Sequence, residues 1–271
     1  MTNSKLPLGR TTRYPDQYDP GVLFSIPRAE ARKAWLSEPL PFRGVDIWNA
    51  WELTWLGPGQ LPVAATAQIR VPADTPNLVE SKSLKLYLNS FAMTQFASLV
   101  QVEEAISRDL SAAAGGPVNV RVIPVSETEA ASVSRLPGLC LDELSVTCNT
   151  WELDAGLLKA DPATIVEEDL YTHLLRSLCP VTAQPDFGSV TVHYRGPKID
   201  PTSLLRYVVS FRQHEDFHEA CVERMFADIS RHCKPERLSV FAQYQRRGGI
   251  DINPFRSNFD DQPRNLRLWR Q

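Results

Sequence analysis

Four segments of this chain alternate apolar and polar residues with a period of two: VAATAQIRV (63–71), PVNVRVIP (117–124), SVTVHY (189–194) and RLSVFAQY (237–244). That period turns one face of an extended strand to a core and the other to solvent. Between the members of each pair lie helix-like stretches, roughly 93–112 and 216–232. Breakers follow them, Gly115-Gly116-Pro117 in the first case and Lys234-Pro235 in the second. The chain therefore predicts strands, then helices, then strands, twice over. This is an α+β plan with antiparallel pairing.

The second half repeats the first in its residues as well. VESKSLKLYLNSF (79–91) set over IDPTSLLRYVVSF (199–211) aligns Ser83 with Ser203, Leu84 with Leu204, Tyr87 with Tyr207, Ser90 with Ser210 and Phe91 with Phe211. Continued without a gap, the same offset of 120 puts Val102 over Val222, Glu103 over Glu223 and 117–124 over 237–244. The organisation expected is an N-terminal extension (1–45), a first unit (46–126), a linker (127–157) and a second unit (158–271). Part of the linker, LSVTCNTWEL, has the makings of a strand.

Composition narrows the class. At 271 residues, 43% hydrophobic and 23% charged, the chain has the composition of a soluble globular protein and room for one large domain or two of ordinary size. It has no apolar run of membrane-spanning length, and its polar, proline-containing start is no signal peptide, so the expected compartment is the cytoplasm and no membrane partner is expected. There the five cysteines should be mostly reduced, and none pair at CxxC spacing. A net charge of −3 carries no footprint for nucleic acid. Arg256, Arg264, Arg267 and Arg270 gather at the C-terminus among aspartates, which reads as a solvated tail.

His214-Glu-Asp-Phe-His218 spells H-E-x-x-H, the zinc-protease pattern, but no third ligand is marked downstream, and the alternative is a solvated histidine at a helix start. SLCPVTAQPDFG (177–188) holds a thiol, Cys179, and a carboxylic acid, Asp186, on what reads as a loop stiffened by Pro180, Pro185 and Gly188. A thiolate there could act as nucleophile with the acid moving protons; a buried structural cysteine and a turn aspartate are the plain alternative. Glu80-Ser81-Lys82 reads as a charged pair or a helix cap. Arg246-Arg247-Gly248-Gly249 reads as an anion site or a turn.

Taken in order, YPDQYDP (14–20), NLVESKSLKLYLNSF (77–91), LCPVTAQPDFGSV (178–190), FRQHEDFHEACVER (211–224) and RRGGIDINPFRS (246–257) resemble the NADPH-dependent 7-cyano-7-deazaguanine reductase family, the nitrile reductases of queuosine biosynthesis. The resemblance is to the long form, with two tandem tunnelling-fold (T-fold) units, antiparallel sheets with helices packed on one face. Ala183 and Phe187 depart from it, where glycine and tryptophan are usual. The resemblance implies that Cys179 captures the nitrile as a thioimide and Asp186 supplies the proton. It implies that Val79, Glu80, Ser81, His218 and Glu219 bind the deazapurine, and that Ser81, Lys82, Arg247 and Gly248 bind NADPH, a co-substrate used twice. It further implies no metal and a homodimer. Site residues fall in both repeats, so the halves are expected to meet, within a chain or across a dimer. No G-x-G-x-x-G occurs, so the nicotinamide cofactor rests on the resemblance alone. Two other classes are a zinc hydrolase of the GTP cyclohydrolase type, through Cys179, His214 or His218, and a non-catalytic purine-binding protein.

Overall fold

The computed structural model describes residues 14–33, 35–36, 39–128, 132–260 and 262–271. The first 13 residues of the expected N-terminal extension, with Ala34, Ser37 and Glu38 in it, residues 129–131 of the expected linker, and Asp261 lie outside the described residues. The chain forms two compact units. The first comprises the described residues of 1–31, 46–132 and 246–251; the second comprises those of 32–45, 133–245 and 252–271.

In the first unit, β1 (Ser25–Pro27) leads into the short α1 (Arg28–Arg32), whose last residue is assigned to the second unit. β2 (Arg43–Leu56, in this unit from Asp46), β3 (Pro62–Pro72) and β4 (Asn77–Val79) follow, then α2 (Ser81–Asn89), α3 (Leu99–Ala114), β5 (Asn119–Pro124) and α4 (Val125–Thr128). β5 runs antiparallel along β3, which adjoins β2, and β1 pairs with β4. The alternation in 63–71 buries Ala65, Ala67, Ile69 and Val71, and α2 and α3 bury Leu84, Tyr87, Val102 and Ile106, all nearly inaccessible.

The second unit holds β6 (Leu139–Cys140), β7 (Ala160–Leu178), β8 (Pro185–Ile199), α5 (Pro201–Ser210), α6 (His218–Cys233), β9 (Arg237–Tyr244) and β10 (Ile250–Ser257, here from Ile252). Its strand order is β10-β9-β8-β7-β6, antiparallel except for the two-residue β6 on β7. The β9-β8-β7 order, with two helices between β8 and β9, repeats β5-β3-β2 of the first unit, with two between β3 and β5. Both units are α+β, the tandem T-fold plan.

Three expectations change. LSVTCNTWEL forms no strand. The expected solvated tail is not one: Arg256 is inaccessible on β10, where its guanidinium donates to Glu223, and Leu268 and Gln271 are buried. The offset of 120 also slips to 119 in the second helix of each unit. α3 and α6 both have 16 residues, beginning at Leu99 and His218 and ending against left-handed Gly115 and Lys234. The connection before α6 is one residue shorter, so Glu103 and Glu223 are not equivalent. Glu103 accepts from the Val122 amide, while Glu223 holds Arg32 and Arg256.

Candidate active site

In the second unit, β7 and β8 form an antiparallel hairpin in which Ser177 faces Asp186 and Leu178 faces Pro185. The turn is 179–184. The Cys179 amide donates to the Gln184 carbonyl at 2.9 Å, and the Ala183 amide returns to the Cys179 carbonyl at 2.9 Å. Asp186 therefore belongs to the strand and not to the loop, contrary to the sequence reading, and so does Gly188. Ser177 and Asp186 are directly opposed, and Cys179 follows two residues after Ser177 as the first residue of the turn. Cys179 is partly exposed and Asp186 is buried.

Against this hairpin end packs the start of α6. The Leu178 amide donates to the His214 carbonyl and the Asp216 amide donates to the Leu178 carbonyl, at 2.8 and 3.1 Å. The helix begins only at His218, with Phe217 as an N-cap that offers no side-chain acceptor. His214 thus closes a 3-10 turn (Phe211–Gln213) before the helix, half-buried, near Asp216. The i, i+4 geometry that H-E-x-x-H needs does not form, and His214 is not at the helix start. His218 instead turns its Nε2 to Asp186 Oδ2 at 3.2 Å. Its ring stacks on Tyr244, centroids 3.8 Å apart and planes 9° from parallel. Glu219, the next residue, is buried in the first turn of α6, where the helix dipole favours a carboxylate.

In the first unit, Val79 ends β4 and Glu80 caps α2. The Lys82 and Ser83 amides donate to its two carboxylate oxygens at 2.9 and 2.7 Å, and the side chain is 1% exposed. The plain helix-cap reading of Glu80 is therefore correct as geometry. A carboxylate has about four acceptor positions, so the cap leaves capacity for further donors. Ser81 and Lys82 open the helix, partly exposed. Arg247-Gly248-Gly249-Ile250 is a tight turn. The Arg247 amide donates to the Ile250 carbonyl at 2.9 Å, and Gly248 and Gly249 have φ of 63° and 83°, the left-handed pair that a type I′ turn requires. Lys85 was not singled out from the sequence. Its side chain lies against Gly248, where a Cβ would come within 3.2 Å of Cδ and Cε. One turn from Lys82 on α2, Lys85 could have been found from helical spacing.

The structure thus groups the expected residues in two sets, one in each unit: Val79, Glu80, Ser81 and Lys82 with the 247–248 turn, and Cys179, Asp186, His218 and Glu219. Tyr244, Ser177 and Cys221, which line the second set from below, had no signal in the sequence beyond being core residues of a strand and a helix.

Comparison with known families adds to this geometry. Residues 14–122 match the family described as nitrile reductase, 7-cyano-7-deazaguanine-reductase N-term. Residues 185–263 match that described as QueF-like protein. Cys179 lies between the two matched segments. No helix among the described residues is long and apolar enough to cross a membrane. The two matches run in chain order and together take in more than two thirds of the sequence, and the chain belongs to the 7-cyano-7-deazaguanine reductase family of nitrile reductases.

Proposed function

We propose that this protein reduces the nitrile of 7-cyano-7-deazaguanine to the primary amine, 7-aminomethyl-7-deazaguanine. One nitrile, two NADPH and two protons give one amine and two NADP⁺. The observation that carries the reading is the Asp186–His218 pair beside the hairpin turn that presents Cys179.

The Cys179 thiolate adds to the nitrile carbon, forming a C–S bond as the nitrogen takes a proton from Asp186. The product is a thioimide, a better hydride acceptor than the nitrile. Asp186 is buried and in contact with the His218 imidazole, so a proton can be held at one and replaced through the other. Collapse of the reduced adduct breaks the C–S bond and returns the thiolate. The backbone clasp of Cys179 on Gln184 and Ala183 fixes the angle from which the sulfur meets a linear group. Glu80 and Glu219 are buried carboxylates suited to the forked N–H edge of a guanine-like base, and a site built on such bonds rejects bases that lack them.

NADPH, when bound, supplies the two hydrides. Ser81, Lys82 and Arg247, with bare Gly248 held against Lys85, fit its phosphates, because cations and exposed amides suit that charge. All five cysteines are free thiols, which fits a reducing cytoplasm.

The test is NADPH absorbance on adding 7-cyano-7-deazaguanine, with Cys179→Ala beside the wild type. Two NADPH consumed per nitrile, and none in the variant, is the expected result. Turnover persisting in Cys179→Ala would discard the covalent route. No turnover in folded wild type would discard the reductase.

A further inference from the structure

Beneath the Asp186–His218 pair sits an aromatic residue that the mechanism above does not use. Tyr244 is the last residue of β9 and is inaccessible to solvent. Its ring lies flat against the His218 imidazole, 3.8 Å between centroids and 9° between planes. Across the β8–β9 ladder it faces Gly188. A Cβ at Gly188 would stand 3.3 Å from Tyr244 Cδ1 and 3.1 Å from Leu175 Cδ2. The missing side chain is what leaves room for the ring.

The other end of the ring is enclosed, although its hydroxyl makes no hydrogen bond among the described residues. Its hydroxyl adjoins the Ser177 hydroxyl and the Cys221 thiol, and all three groups are buried. Burial pushes both the Tyr244 phenol and the Cys221 thiol up, so both stay protonated and neutral. Ser177 is the residue opposite Asp186 on the hairpin, and Cys221 lies one turn from His218 on α6. The ring is therefore gripped by the same strands and helix that carry the pair.

A stacked partner removes a soft motion. An imidazole turns easily about its second side-chain torsion, but here that turn would drive its edge into the tyrosine ring. Held in this plane, Nε2 meets Asp186 Oδ2, while Nδ1 is buried and has no hydrogen-bond partner among the described residues. We propose that Tyr244 is a positioning residue for the proton transfers of nitrile reduction. Its ring holds His218 in the plane in which imidazole and Asp186 share a proton, and residue 188 is glycine so that the ring can lie there. Tyr244 touches no reacting atom. The proposal rests on the reading that this pair serves the nitrile nitrogen.

Three variants of the full chain test it. Tyr244→Phe keeps the stack and loses only the hydroxyl; Tyr244→Leu loses the stack; Gly188→Ala crowds it. The expected result is kcat within about threefold of wild type for Phe and about 10²-fold down for Leu, with KM for the nitrile nearly unchanged and Gly188→Ala between them. A purely structural residue would lower the melting temperature and leave kcat of the folded protein alone. A second readout needs no turnover: the His218 ring-proton NMR signals should be displaced by the tyrosine ring current in wild type and Tyr244→Phe, and revert in Tyr244→Leu. Wild-type kcat in folded Tyr244→Leu overturns the proposal. An equal loss in Phe and Leu also overturns it, by moving the effect to the hydroxyl. If Tyr244→Leu does not fold, wild-type kcat in Gly188→Ala is the overturning result. A wild type that reduces no nitrile sinks the functional reading instead, and an undisplaced His218 signal in wild type sinks the stack by itself.

Discussion

The two units use the same pair of helices but bury a carboxylate at the start of different members of the pair. The first helix of each pair is capped by an acid: Glu80 accepts from the amides two and three residues on, and so does Asp200. The serine of each capping turn bonds back to the acid's carbonyl, Ser83 to Glu80 and Ser203 to Asp200. The same serines accept from preceding backbone, Phe24 in one unit and Lys159 in the other. That reveals a further part of the duplication. Asp19 and Asp154 cap matching 3-10 turns, and their amides donate to Ser90 and Ser210. Yet Glu80 is buried and Asp200 is exposed. At the second helix the roles reverse. Ser98 caps α3 and the following Val100 is exposed, whereas the structurally equivalent Phe217 offers no cap and Glu219 is buried. A duplicated scaffold has kept all four helix starts and placed a buried carboxylate at one in each unit.

The largest way to break this comparison is at those four starts. Glu80→Ala and Glu219→Ala are each expected to lower kcat/KM by about 10²-fold, the worth of hydrogen bonds to a buried charge. Asp200→Ala and Val100→Ala should leave kcat/KM unchanged, although losing the Asp200 cap costs about 1 kcal/mol of stability. Steady-state kinetics beside a thermal melt separates the two effects. If folded Asp200→Ala lost activity as Glu80→Ala does, the division into working and merely structural helix starts would be wrong.

A smaller effect sharpens the part the units share. In each, a tyrosine of the first helix donates to an aspartate of the second, Tyr87 to Asp109 at 2.7 Å and Tyr207 to Asp228 at 2.9 Å. Burial, and then the neighbouring aspartate, keep the Tyr207 phenol well above its usual range, so it remains a neutral donor. Each Tyr→Phe change leaves a carboxylate short of a donor, at about 1–3 kcal/mol. Asp109 also receives Tyr18 and Arg108, while the more buried Asp228 also receives Arg224. Urea unfolding should therefore show the greater loss for Tyr207→Phe. The reverse order would mean that the network around Asp109 acts as one unit.

This asymmetry also marks how far the sequence could be read. The repeat, the strands at 63–71 and 189–194 and the second helix of each unit follow from period and spacing, whereas α2 and α5 lie in segments read only as repeated sequence. β7 was not legible, because register shifts at Asp161/Ile165 and Thr172/Leu175 break its alternation. The slip from 120 to 119 was hidden because Val102 and Val222, and Glu103 and Glu223, match by letter while the connection between helices loses a residue. Asp186 looked like a loop residue because prolines flank the turn on both sides, yet Pro185 begins a strand, a position where a missing amide is tolerated. The Tyr244–His218 stack joins a strand end to a helix start 26 positions apart, and nothing local in the chain announces it.

The smallest effect lies in the turn that presents Cys179. In the first unit the two left-handed positions at 248 and 249 are glycines, whereas the hairpin turn of the second unit puts Ala183 at φ 53°. An L-residue there brings Cβ close to its own backbone, at a cost of roughly 1–2 kcal/mol, part of which glycine gives back through the entropy of the unfolded chain. Ala183→Gly should therefore raise stability by up to about 1 kcal/mol. Ala183 is exposed, so no packing is lost. The clasp between the Ala183 amide and the Cys179 carbonyl does not involve the methyl group, so the covalent step should keep its rate. A thermal melt with single-turnover kinetics checks both. A stabilised variant with slower nitrile capture would show that the strained alanine itself sets the angle of the thiol.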